Sequence, residues 1–88
     1  MPEISFFYGI KIMIYHESNA PHHKPHFHAS YGEYEAVYST EGDLLAGCLP
    51  PRQAKLVVAW AALHMQELDD NWYLASSNST CFRIDPLV

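Results

Sequence analysis

The chain is short of positive charge: five lysines and arginines stand against ten aspartates and glutamates, for a formal net charge of −5 at pH 7 with histidine neutral. A broad electrostatic grip on nucleic acid needs clustered Lys and Arg, and this chain has no such cluster. Long apolar runs are missing as well; none approaches the ~20 residues that span a bilayer, so no membrane partner is expected. Met1-Pro2-Glu3-Ile4-Ser5 carries no basic stretch leading into an apolar segment, which points to a cytoplasmic protein without a secretory signal. Cysteine is scarce. Cys48 and Cys81 fit no metal-ligand spacing and read as two buried free thiols in a reducing compartment. No glycine-rich phosphate loop exists, and Ser5, Ser30 and Ser39 lack a Gly-x-Ser-x-Gly turn, which removes nucleotide-binding and serine-hydrolase readings.

What remains is apolar and aromatic. Hydrophobic residues make up 49% of the 88 residues and aromatics 14%, enough for a single domain over 1–88 to build one small core. Residues 4–15, ISFFYGIKIMIY, alternate Ile10, Ile12 and Ile14 with Lys11 and Met13 and predict a strand, with Gly9 marking a bulge or a close backbone approach. Residues 16–25 contain two prolines and no period, and predict a loop. Residues 26–39 predict two strands joined by a tight Gly32-Glu33 turn, with His26, His28 and Ser30 on one face and Phe27, Ala29 and Tyr31 on the other. That register sets Tyr31 opposite Tyr34, Ser30 opposite Glu35 and His28 opposite Val37. A turn at 40–43 leads to a fourth strand over 44–49.

Pro50-Pro51 opens a helix over 52–68 whose apolar stripe is Ala54, Val57, Val58, Ala61, Met65 and Leu68, with Trp60 and His64 on the same side. This stripe is expected to pack across the sheet against Ile12, Ile14 or Val37. Glu67, Asp69 and Asp70 sit where the helix dipole disfavours them, so the helix either breaks or resumes through Trp72 and Leu74. Residues 81–84 predict a short edge strand. The fold class is α+β: an antiparallel meander of about four strands packed against one main C-terminal helix.

Five of the six histidines fall within residues 16–28, as His16, His22, His23, His26 and His28. His-x-His on a strand presents both imidazoles to one side, and three chemistries suit that pattern. In a divalent-metal site, His26 and His28 would be joined by Glu35, or by Glu33, His16 or His23. In acid–base catalysis, His26 and His28 would divide the roles of base and acid. Lys24 would then stabilise a phosphorane during RNA cleavage, and Glu35, diagonal to His28, would partner the imidazoles. In the third case the imidazoles cap backbone groups and Tyr8, Tyr15, Tyr31, Tyr34 and Tyr38 pack on the sheet. His64, Trp60 and Trp72 read as core residues.

Taken together, Met1-Pro2-Glu3-Ile4-Ser5 with the Phe6-Phe7 pair, Pro25-His26-Phe27-His28-Ala29, Tyr31-Gly32-Glu33-Tyr34-Glu35-Ala36, Gly47-x-Leu49-Pro50 and Asn71-Trp72 resemble the bacterial domain of unknown function family 4160. The resemblance covers nearly the whole chain. It departs in the loop, where His22-His23-Lys24 lengthens a usually compact Asn-Pro-Pro-His-Phe-His segment. The resemblance implies a small antitoxin-like partner encoded beside this protein. By that gene layout the chain would be the toxin-like component of a toxin–antitoxin module, acting on RNA or translation. The alternatives are a non-catalytic protein-binding module and a small metal-binding protein.

Overall fold

The computed structural model describes residues 3–15 and 24–88. Five strands form one antiparallel sheet in sequence order: β1 (Glu3–Phe7), β2 (Ile10–Met13), β3 (His26–Tyr31), β4 (Tyr34–Ser39) and β5 (Leu44–Cys48). Two helices follow, α1 (Pro51–Leu63) and α2 (Met65–Ser76). The class is α+β, with one more strand and one more helix than the sequence suggested.

The extra strand arises at Tyr8-Gly9. Both residues have positive φ, 50° and 80°, the handedness of a two-residue turn that matches strand twist. Residues 4–15 therefore double back as a hairpin instead of running on as one strand. The close approach expected at Gly9 is present, since a Cβ there would lie 3.2 Å from Cε1 of Tyr31. The β3–β4 hairpin has the anticipated register, with Tyr31 opposite Tyr34, Ser30 opposite Glu35 and His28 opposite Val37.

The helix stripe breaks at His64, whose φ of −123° and ψ of 25° leave the helical region. Its amide donates to the carbonyls of Trp60 and Ala61 and closes α1, while its own carbonyl accepts from Leu68 in α2. Because the helix restarts, Glu67 falls in the first turn of α2, where the dipole favours a carboxylate. His64 is half-buried, with Nδ1 2.6 Å from Oε1 of Glu67, and is a junction residue more than a core one. Val57, Ala61 and Leu68 are fully buried, but Val58 and Met65, which the uninterrupted stripe had placed inward, are 43% and 47% exposed.

The core lies between α1 and one face of the sheet. Trp60 is its centre, with its ring centroid 5.2 Å from Phe7 and 5.8 Å from Phe27, and its indole N–H donating to the Asp85 carbonyl at 2.9 Å. Ile12, Ile14, Ala29 and Ala36 complete the floor. Val37 does not join them; it pairs with His28 and shares the opposite face. Burial also pushes the Tyr38 phenol above its ordinary value, with Cys48 adding to the shift. The thiols are unlike the expected buried pair: Cys48 is exposed, and Cys81 is half-buried, which pushes its thiol up.

Residues 81–84 do not form a strand. Asn71, fully buried, donates to the Phe82 carbonyl and accepts from the Phe82 amide, both at 2.9 Å. Ile84 adds a single backbone bond to Ile4. A side chain thus takes over the bonds a ladder would make, and the C-terminal segment is tethered along the β1 edge. Asn71→Leu is expected to destabilise the domain by about 2–3 kcal/mol, because it removes both hydrogen bonds that hold the Phe82 backbone. Limited proteolysis should then cut after residue 76 well before the remainder of the chain; simultaneous digestion of both parts would contradict the tether.

Candidate functional site

The sheet face opposite α1 carries the histidines, because in β3 the odd positions Phe27 and Ala29 are taken by the core. His26 and His28 both lie on that other face, with ring centroids 5.5 Å apart and planes at 64°. Neither is a surface residue: His26 is 3% exposed and His28 9%.

Each ring is oriented by neighbours. Nδ1 of His26 lies 2.8 Å from the Lys24 carbonyl oxygen. A carbonyl can only accept, so this nitrogen carries the proton. The ring also rests against Trp72 of α2, centroid to centroid 4.7 Å. His28 is stacked on Tyr15 at 4.4 Å and 14°. Its Nδ1 sits 3.3 Å from the Tyr15 hydroxyl and 3.7 Å from Oε1 of Glu35. The carboxylate is largely solvated, with 61% of the Glu35 side chain exposed, so the contact contributes little to stability. Its value is positional: it places an acceptor beside one imidazole.

Of the candidate residues, His26, His28 and Glu35 are brought together. Glu35 reaches His28 across the β3–β4 pair, on the diagonal that the two-residue turn dictates. Lys24 contributes its backbone carbonyl to His26, while as a residue it is exposed. Glu33 occupies the exposed β3–β4 turn. His16, His22 and His23 lie outside the described residues. Among the described residues, no group of three or more His, Cys, Asp and Glu side chains is placed to hold a metal ion.

Two participants escaped the sequence reading. Tyr15 had been assigned to general sheet packing, yet the β2 alternation of Lys11 and Met13 continues to it, and Met13 pairs with His28. That periodic signal was available. Trp72 packs against the core as its type suggests, but its contact with His26 depends on the restart of the helix after His64. The result is a cluster of two imidazoles, a phenol, an indole and a carboxylate, able to stack on a planar group and move a proton beside it.

Residues 9–73 match the family described as domain of unknown function 4160. No curated protein and no solved structure matches the chain. No helix among the described residues is long and apolar enough to cross a membrane.

Proposed function

The chain belongs to the domain of unknown function 4160 family, and from the cluster on its sheet we propose that it is the toxin-like component of a bacterial toxin–antitoxin module, acting on RNA or the translation machinery. The observation that carries this reading is the arrangement of His28: its Nδ1 faces both the Tyr15 hydroxyl and the Glu35 carboxylate, while His26 stands beside it with its own tautomer set by the Lys24 carbonyl.

In such chemistry one imidazole takes the 2′-hydroxyl proton and the other protonates the departing 5′-oxygen. His28, beside the carboxylate, suits the acid, and His26 the base. The Lys24 ammonium would offset charge on the phosphorane, and Tyr15 and Trp72 offer stacking surfaces for a base. The net charge of −5 opposes long-range steering to RNA. Recognition would therefore rest on stacking and a few hydrogen bonds, with a small antitoxin-like partner, encoded alongside, holding the protein in check.

The deep burial of both imidazoles favours a second reading, a protein-binding module in which the histidines set the shape of the sheet face. Induction in a bacterium lacking the neighbouring gene separates the two. Growth arrest is expected with the unaltered chain, and Glu35→Gln and His28→Gln should each weaken it by about tenfold or more. Thermal melts of the purified variants report whether they remain folded. Normal growth on inducing the unaltered protein would refute the toxin reading, as would arrest that both folded variants retain in full.

A further inference from the structure

The sheet face that carries the histidine cluster continues beyond it toward β1. Phe6 pairs with Lys11 and Lys11 with Ser30, so three strands set these side chains in one row on that face. His28 belongs to the next row, opposite Met13. Two strand spacings and one two-residue step put Phe6 about 12 Å from His28, with Lys11 between them.

Neither Phe6 nor Lys11 is taken up by packing. Phe6 is 50% exposed, although its neighbours Ser5 and Phe7 are buried. Lys11 is exposed and enters no ion pair among the described residues. Tyr8, in the adjoining turn, is 58% exposed and held at φ 50°, a strained backbone for a bulky residue. Charge also distinguishes this side of the sheet. Glu3 of β1 pairs with Arg83 at 3.1 Å, so among the described residues Lys11 gives the β1–β2 surface a net positive charge. Glu35, Glu41 and Asp43 lie away from it, on β4 and in the turn that follows.

We infer that Phe6 and Lys11 form a flanking subsite for single-stranded RNA. Phe6 stacks on an unpaired base, and Lys11 holds a phosphate between that base and the histidines. The inference rests on the function proposed above and names the form of its substrate. A peptide finds no free backbone here: β2 is paired on both sides, and the margin of β1 is tethered to Ile84. A nucleotide needs only an exposed ring for its base and a cation for its phosphate. A duplex presents no open base face, so the substrate is unpaired at this point.

Fluorescence anisotropy with a single-stranded 2′-O-methyl oligoribonucleotide, which lacks the hydroxyl needed for cleavage, measures binding apart from turnover. The unaltered chain is expected to bind it more tightly than the corresponding duplex. Phe6→Ala should weaken binding about fivefold or more, and Phe6→Trp should retain it. Lys11→Gln should flatten the slope of log Kd against log salt by about 0.7, the share of one phosphate contact. Both side chains are exposed, and circular dichroism checks that each variant is folded. Failure to bind, equal affinity for the duplex, full binding by Phe6→Ala or a salt slope that Lys11→Gln leaves unchanged would each overturn the subsite. Growth arrest reports on the proposed function separately. Arrest that requires His28 but ignores Phe6→Ala and Lys11→Gln removes the subsite and leaves the function standing. Phe6-dependent binding without arrest does the reverse.

Discussion

Gly47→Ala is expected to lower the melting temperature by about 15 °C, through a loss of about 3 kcal/mol. Gly47 has φ +68° inside β5, the left-handed region where a side chain is strained. Strain is the smaller part. A Cβ there would run into the carbonyl oxygen of Glu35 and lie 3.2 Å from Cα of Ala36, both backbone of β4. Backbone cannot swing aside as a side-chain tip does, so β4 and β5 would have to separate. Gly32→Ala is the internal control: its φ is +57°, and nothing lies within 4 Å of the added methyl. It should cost about 1 kcal/mol, from strain alone. Equal losses for the two variants in a urea melt would show that packing at Gly47 is not what matters. A domain of this size has only about 4–13 kcal/mol in total, so Gly47→Ala removes a large share.

Trp60→Ala should have the largest effect in the protein, about 3–5 kcal/mol, and leave the chain partly or wholly unfolded at room temperature. The indole is fully buried, touches the rings of Phe7 and Phe27, and holds the Asp85 carbonyl. It therefore links β1, β3, α1 and the C-terminal segment. Trp60→Phe keeps most of the ring contact and removes the donor, and should cost far less, about 1–2 kcal/mol. Chemical denaturation followed by circular dichroism distinguishes the two. A Trp60→Phe loss as large as that of Trp60→Ala would mean that the hydrogen bond to Asp85, and not ring packing, holds the core.

The histidine cluster was partly legible in the chain. Alternation assigned His26 and His28 to one face and Phe27 and Ala29 to the other, and a two-residue turn at Gly32-Glu33 then left Glu35 as the carboxylate diagonal to His28. Tyr15 was readable by the same alternation through Met13. Trp72 was not, because its place depends on where one helix stops and the next begins. His64 gives no composition signal of a break, being neither glycine nor proline. The Tyr8-Gly9 turn was hidden for a similar reason, since tyrosine is uncommon at a position with φ +50°.

What the sequence by itself determined is whatever depends on neighbours one to four residues apart: the α+β class, the meander, the register of β3 with β4, and the inward set of Val57, Ala61 and Leu68. Period and turn length are local properties, and a buried face enforces them because a one-residue slip would turn every apolar side chain outward. The tertiary structure alone decided that the expected break falls at His64, before the acidic residues, and with it the tether from Asn71 to Phe82, the Trp72 wall on His26, and which sheet edge the C-terminal segment covers. Each of these rests on contacts between residues distant in sequence. Such a contact forms where burying a whole face outweighs a local preference, as when Trp60 and Leu68 are both packed inward at the expense of a continuous helix.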